Sequence, residues 1–173
     1  MATQYQNPTD YNLDGTDKSK LPEQQYALIV ADWHPQVTHA MLDGAVTTLT
    51  ANSVKPEHIK IIHVPGAFEL TYAAKQLMDD YYCMIDGMKV YKYVAIIVIG
   101  CVIQGETPHF DYVCQSVTQG ITVLNTRRDG CPAIFGVLTT KTLEQALERA
   151  GGKYGNKGAE AAITAIKMAN IIW

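Results

Sequence analysis

Residues 93–112 read Tyr-Val-Ala-Ile-Ile-Val-Ile-Gly-Cys-Val-Ile-Gln-Gly-Glu-Thr-Pro-His-Phe-Asp-Tyr and join a strongly apolar segment to a polar turn. The part from 93 to 99 is rich in β-branched side chains without alternation, which is typical of a strand buried on both faces of a parallel sheet. Gly100 and Gly105 then permit a tight turn, after which a helix is expected. Parallel sheets bind ligands beyond the carboxyl ends of their strands, so this turn is the first candidate site.

Three further apolar runs predict strands, and segments with helical periodicity lie between them. The predicted strands are 26–31, 59–64, 93–99 and 133–138, and the predicted helices begin near 35, 67, 109, 142 and 159. This alternation predicts an α/β protein, a three-layer α/β/α sandwich on a four-stranded parallel sheet with a flavodoxin-like arrangement. Residues 79–92 are polar and rich in tyrosine, and we predict a loop or a frayed helix end there.

Length and composition indicate one domain. With 173 residues and 47% hydrophobic content, the chain can build one sizeable core, which we place at 26–173. Residues 1–25 are polar and predict an N-terminal arm without a role in the fold.

The charge and the cysteines restrict the partners and the compartment. A net charge of −3 and an isoelectric point near 5.9 do not favour nucleic acid or an anionic membrane as partners. The four cysteines form no CxxC pair, which favours reduced thiols. No signal segment or membrane-length apolar run is apparent, so a cytoplasmic protein is expected.

The turn after residue 99 has the features of an anion site. Thr107 is a good N-cap with proline at the next position, and the amides and dipole of a helix start attract anions. The glycine spacing matches a nucleotide P-loop, but Glu106 stands where that motif requires lysine. A small phosphate held by backbone groups is therefore expected. At the helix start, His109 is either a neutral proton acceptor, because the dipole disfavours the charged ring, or an ordinary surface histidine.

Two aromatic residues follow predicted strands and suggest a binding platform. Trp33 comes after the first strand, and Phe68 lies in the turn 65–69 after the second. Both could be core residues, but at these positions they can also stack on a flat heterocycle. Because the turns meet at one edge of the sheet, we expect Trp33, the 65–69 turn and the 100–109 loop with His109 to form one site.

Metal chemistry is not expected from the histidine spacing. His34 and His39 are five positions apart, as are His58 and His63, so neither pair has the spacing of four that places two ligands on one helix face. His63 lies within a predicted strand and is expected to be a packed core residue.

Thiol and basic side chains offer two further readings. Cys101 and Cys114 flank His109, but Cys101 ends an apolar strand, which favours inert packing over nucleophilic chemistry. Three basic residues lie at or after a predicted helix C-terminus. Compensation of the helix dipole explains one positive charge at such a position better than it explains three. The three residues are Arg149, Lys153 and Lys157.

Five motifs in order resemble one enzyme family. They are Trp33 and the segments 64–70 (Val-Pro-Gly-Ala-Phe-Glu-Leu), 100–112, 134–139 and 148–158. Together they are similar to the 6,7-dimethyl-8-ribityllumazine synthase family over about residues 26–172. The resemblance implies a transferase of riboflavin biosynthesis that condenses 5-amino-6-(D-ribitylamino)uracil with 3,4-dihydroxy-2-butanone 4-phosphate. Phosphate and water are released, and no metal or organic cofactor is implied.

The resemblance also implies residue roles. His109 transfers protons, and the other residues bind the two substrates. The ribitylaminouracil residues are Trp33, Ala67, Phe68, Glu69, Cys101, Val102, Ile103 and Phe135, and the butanone phosphate residues are Glu106, Thr107 and Arg149, with Lys153 or Lys157 assisting. Phe135 and Arg149 are expected from a neighbouring subunit, and the Glu106 side chain is expected to point outward. The chain departs from many members at His34, where they have asparagine, and at Gln104, where they have a basic residue.

Family members form pentamers, and some close twelve pentamers into an icosahedral shell. The compact loop 151–158 resembles that of shell-forming members, so a homo-oligomer with shared sites and a 60-subunit shell is expected, with riboflavin synthase as a candidate partner.

Two alternative functions remain at this point. One is a thiol-dependent acyl or phosphoryl transferase, and the other is a non-catalytic flavin- or lumazine-binding module on the same fold.

Overall fold

The computed structural model describes residue 13 and residues 15–80, 82–85, 88–127 and 130–171. The strands are β1 (Tyr26–Ala31), β2 (Ile59–Val64), β3 (Tyr82–Ile85), β4 (Met88–Tyr91), β5 (Ala95–Ile103), β6 (Ala133–Thr140), β7 (Ala150–Gly152) and β8 (Gly155–Asn156). The α-helices are α1 (Pro35–Ala51), α2 (Leu70–Asp80), α3 (His109–Asn125), α4 (Leu143–Glu148) and α5 (Lys157–Ala169). Short 3-10 turns cover Lys18–Glu23, Pro56–His58 and Ala67–Glu69.

The central sheet is four-stranded and parallel, in the order β2-β1-β5-β6. All six residues of β1 are buried, as are the first seven of β5, because helices cover both faces of the sheet. One apolar cluster joins the sheet to α1, α4 and α5, and a second joins it to α2 and α3. The predicted α/β/α sandwich with a flavodoxin-like arrangement is therefore confirmed. Within the described part of the chain, no helix has the length and apolar character needed to cross a membrane.

The segment 79–92 is not the predicted loop. After α2 ends, β3 and β4 pair antiparallel as a separate two-stranded hairpin. The sequence carries a signal for this, because Asp86-Gly87 stands between two runs of β-prone residues and that dipeptide favours hairpin turns. The polar, tyrosine-rich composition of the segment led to the prediction of a loop in spite of this signal.

Part of the N-terminal arm contributes to the core, contrary to prediction. Leu13 is 5% exposed and Leu21 is fully buried in the same cluster as α1 and α5. Nζ of Lys55 lies 2.7 Å from a carboxylate oxygen of Glu23, which ties the end of the arm to the turn before β2. Residues 1–12 and 14 lie outside the described residues, and the division into an arm and a domain stays a prediction.

Gly158 permits the close crossing of α5 over α1. A Cβ at this position would overlap the carbonyl oxygen of Met41 in α1. We expect Gly158→Ala to lower the free energy of unfolding by about 2 kcal/mol, because the helices must separate to admit the methyl group. Gly105→Ala is the control, since its Cβ meets no described atom within 4 Å. Urea unfolding of both variants measures the difference, and an equal loss in the two would contradict this account.

Candidate functional site

A cleft of about 450 Å³ opens at the carboxyl ends of β1, β2 and β5, in the size range of small-molecule sites. Its walls come from the β1–α1 junction, the turn between β2 and α2, the end of β5 and the start of α3. The lining residues are Trp33, His34, Gly66, Ala67, Phe68, Glu69, Cys101, Val102, Ile103, His109 and Val113. The structure thus brings together the predicted catalytic histidine and seven of the predicted ring-binding residues.

Two aromatic side chains border this cleft and are largely open to solvent. Trp33 is 67% exposed and Phe68 is 59% exposed, so neither is a core residue. A Cβ at Gly66 would lie 3.2 Å from Cδ1 of Trp33 and 3.1 Å from Oε2 of Glu69. Because glycine has no side chain, the Trp33 indole and the Glu69 carboxylate can both lie close to the backbone of Gly66. An exposed aromatic face beside a hydrogen-bond acceptor suits a flat, polar heterocycle.

His34 was not among the predicted site residues, although it lines the cleft. It is the residue before α1 and has φ 60° and ψ 56°, a left-handed conformation that is uncommon outside glycine, although asparagine, aspartate and histidine adopt it more often than other residues. Its position beside Trp33 was the available signal in the sequence. Val113 is a further lining residue that the sequence reasoning missed, whereas Gly66 belongs to the expected 65–69 turn.

His109 is the first residue of α3 and is exposed at the cleft. Val113 follows one turn later on the same helix face. Pro108 is the N-cap residue of α3, and no side chain forms a capping hydrogen bond at this helix start. The prediction of Thr107 as the N-cap was therefore wrong. The proline supplies the turn geometry itself, because its ring fixes φ near the helical value. The first amides of a helix have no partner within the helix, so they can bind an anion.

Glu106 and Thr107 lie in the turn before α3, and both are exposed. The exposure of Glu106 agrees with the expectation that its side chain points outward. Neither residue lines the cleft, so the predicted phosphate segment borders the aromatic platform without being part of its walls.

The described thiols do not have the character of nucleophiles. Burial raises the pKa of the Cys101 thiol to about 11 and that of Cys131 to about 11 as well. The pKa of Cys114 is also raised, first by burial and then by the negative charge of Asp111. A catalytic thiol needs the opposite shift, so the structure disfavours the thiol-dependent transferase.

We therefore expect a Cys101→Ala, Cys114→Ala double variant to keep more than about half of the wild-type turnover rate. Alanine preserves the apolar surroundings of the first site and removes both thiols. Steady-state rates under saturating substrates provide the measurement. A loss of turnover by several orders of magnitude with an intact fold would revive the thiol mechanism.

Phe135 lies outside the cleft of its own chain. It pairs with Val98 in the sheet register, whereas the cleft residues Cys101 to Ile103 pair with Leu138 to Thr140. Phe135 is thus three or more residues behind the rim, a distance of about 10 Å. It lines a different cavity of about 780 Å³ beside the edge strand β6, together with Lys157 and residues of α3 and α5.

The predicted basic residues also lie outside the cleft. Nη1 of Arg149 is 2.6 Å from Oε1 of Glu160 and donates a hydrogen bond to the carbonyl oxygen of Tyr154. Nζ of Lys157 is 3.4 Å from the same carboxylate group, and Nζ of Lys153 lies 5.1 Å from the Tyr154 ring centroid. Arg149 follows α4 as its C-cap. These cations form their own cluster around the hairpin of β7 and β8.

The prediction for His63 was also wrong. This side chain is 46% exposed on the edge strand β2, where its Nδ1 lies 2.8 Å from Oδ1 of Asp32. On this edge strand Lys60, Ile61 and His63 are all exposed, and the apolar composition of the strand did not indicate this.

Comparisons with known proteins agree with this geometry. The family model for 6,7-dimethyl-8-ribityllumazine synthase matches residues 23–172. The chain is 49% identical over 170 residues to the 6,7-dimethyl-8-ribityllumazine synthase of Parabacteroides distasonis, covering 98% of each chain. It is 48% identical over 172 residues to that of Porphyromonas gingivalis, covering 99% of this chain and 98% of the relative. The Bacteroides fragilis enzyme of the same name is 52% identical over 149 residues, which are 86% of this chain and 96% of the relative. This chain belongs to the 6,7-dimethyl-8-ribityllumazine synthase family.

Proposed function

We propose that this protein is a transferase of riboflavin biosynthesis that makes 6,7-dimethyl-8-ribityllumazine. It condenses 5-amino-6-(D-ribitylamino)uracil with 3,4-dihydroxy-2-butanone 4-phosphate and releases phosphate and water. The observation that carries this proposal is the single cleft that holds Trp33, Phe68, Glu69 and His109 in a member of this family.

In this proposal the pyrimidine ring stacks on Trp33. Trp33 is 67% exposed, so its indole face is open to a flat ring. Ala67, Phe68 and Glu69 contact the ring and the ribityl chain, and backbone groups at 101–103 provide further hydrogen bonds. Much of the rate acceleration comes from holding two reactants side by side on this platform.

The proton transfers are assigned to His109. The amine of the pyrimidine attacks the ketone of the second substrate, and loss of water forms an imine. Phosphate then leaves with its bonding electrons, and ring closure with a second loss of water completes the lumazine. Each of these steps moves protons at nitrogen or oxygen, and a histidine at the cleft can accept and return them.

The phosphate is assigned to the turn before α3. The supporting features are the free amides at the start of a 17-residue helix and the exposed segment of Glu106 and Thr107. A neutral pocket of amides would hold the dianion only in part, so a cation is required as well.

We further propose that this cation is Arg149 of a neighbouring subunit, assisted by Lys153 or Lys157. Phe135 would come from the same neighbour. The support is that all four residues lie outside the cleft of their own chain, and that Phe135 stands on an edge strand. A contact in which one surface meets a different surface of the next copy generates a ring, which accommodates the proposed pentamer.

For the larger assembly we propose a 60-subunit shell, supported by the compact hairpin at 150–156 in the segment where pentamer-only relatives carry insertions. Riboflavin synthase is the proposed partner, because it would use the product. The cytoplasm is the proposed compartment, supported by the free thiols of Cys101, Cys114 and Cys131.

Incubation of the purified protein with both substrates tests the activity. We expect lumazine absorbance to appear together with phosphate in a one-to-one ratio. Omission of either substrate is the control. Ligand binding without product under saturating conditions would leave the flavin- or lumazine-binding module as the better account.

A further inference from the structure

Three side chains of types that can bind a metal ion meet where β1, β2 and α1 come together. Asp32 follows β1, His39 lies in the second turn of α1, and His63 stands near the end of β2. One potential ligand atom from each lies within 4.8 Å of the other two. The imidazole rings of His39 and His63 are 5.8 Å apart between centroids and perpendicular to each other. None of the three lines the cleft.

We propose that Asp32, His39 and His63 bind one divalent transition metal ion, with zinc as the first candidate. Two imidazoles and one carboxylate suit zinc, nickel and copper, whereas magnesium and calcium prefer oxygen ligands. The site is independent of the condensation reaction, because its ligands are separate from the residues assigned to the substrates.

The present distances fit such a site after small side-chain rotations. Ligand atoms about 2.0–2.2 Å from a zinc ion stand roughly 3.4 Å from one another in a tetrahedron. The three ligand atoms lie within 4.8 Å of one another, and all three side chains are exposed and free to rotate closer. The backbone positions are already restrained, because the amide of Asp32 donates to the carbonyl oxygen of Val64 at 2.9 Å.

Two contacts orient the histidine side chains of this cluster. The hydrogen bond between His63 and Asp32 orients one imidazole, and the perpendicular contact positions the other. Three ligands leave a fourth position for water, as in open zinc sites. The ion would connect β1, β2 and α1 at the residue that precedes Trp33, so its effect on thermal stability can be measured apart from activity.

Calorimetric titration of metal-free full-length protein with zinc chloride tests the proposal. We expect saturable binding of one ion per chain, and binding at least about tenfold weaker in His39→Ala, His63→Ala and Asp32→Asn. The matched control is His58→Asn, which removes a histidine at the opposite end of β2 and should bind zinc as the wild type does. Magnesium chloride should produce no comparable heat.

Thermal unfolding gives a second readout that does not depend on catalysis. Zinc should raise the unfolding temperature of the wild type and of His58→Asn, and it should leave a His39→Ala, His63→Ala double variant unchanged. Circular dichroism confirms that the variants fold. The proposal is overturned if the double variant binds zinc as tightly as the wild type, or if the wild type binds none.

Discussion

Replacing His109 with alanine should lower kcat by about 10²–10⁴-fold, because general acid–base catalysis contributes an amount of this order. The KM for each substrate should change by less than about threefold, since the histidine acts mainly on the transition state. The ring platform of Trp33 and Phe68 is untouched by the substitution, and so is the turn before α3. Steady-state kinetics with each substrate varied in turn measures both parameters.

The control for His109 is Val113→Ala. Val113 lines the same cleft one turn further along α3 and has no proton to transfer. Its variant should lose less than about tenfold in kcat, as expected for a packing contact. If the two variants lose turnover equally, the role of His109 is steric, and the proton transfers belong to another group.

Replacing Arg149 with alanine should raise the KM for the butanone phosphate by about ten- to a hundredfold, because a charge-assisted hydrogen bond contributes about 1.5–3 kcal/mol. The KM for the ribitylaminouracil should stay within about threefold of the wild type. This division separates Arg149 from His109, whose substitution lowers turnover. Equal effects of both variants on kcat and KM would contradict the assignment of roles.

Arg149 is also one partner of a largely buried ion pair, so its variant requires controls for folding. Its guanidinium pairs with Glu160, whose side chain is 10% exposed, and removing one partner of a buried pair leaves the other charge uncompensated. Arg149→Lys retains a cation and should recover part of the substrate affinity, although lysine lacks the planar fork of donors. Glu160→Gln disturbs the ion pair but keeps the guanidinium. It should therefore change the unfolding temperature and leave the KM for the butanone phosphate close to the wild-type value.

The fold could be predicted from the sequence because its parallel strands are continuous apolar runs. β1 and β2 have the predicted bounds, and β5 and β6 extend the predicted cores by a few residues at their carboxyl ends. Gly100 indicated a turn in the sequence, yet Gly100 and Cys101 are buried within β5. The other added residues, Val102, Ile103, Thr139 and Thr140, are intermediate or exposed, so burial does not mark them as strand. The hairpin of β3 and β4 was missed because its polar, tyrosine-rich composition outweighed the Asp-Gly turn signal, and it is a sheet separate from the main one.

The cleft could be predicted because its residues follow strand ends that meet at one edge of the sheet. Trp33, Phe68 and His109 are distant in sequence, yet each comes directly after or shortly after a parallel strand. The cluster of His39 and His63 could not be predicted in the same way. Its ligands belong to different elements, and helix-face spacing tests only pairs within one helix.

Two residues assigned to the reaction lie outside the cleft of their own chain. Arg149 and Phe135 are assigned to the reaction by resemblance, whereas their own chain places them at other surfaces. We therefore propose that two copies complete one site, with His109 from one and Arg149 from the next.

Mixed assemblies of the two impaired variants test this claim most directly. Co-expression of His109→Ala and Arg149→Ala chains should yield oligomers in which about a quarter of the interfaces combine an intact His109 with an intact Arg149. At a butanone phosphate concentration where each parent variant is nearly inactive, we expect about a quarter of the wild-type rate. A rate no higher than the mean of the two parents, in oligomers shown to contain both chains, would contradict a site shared between subunits.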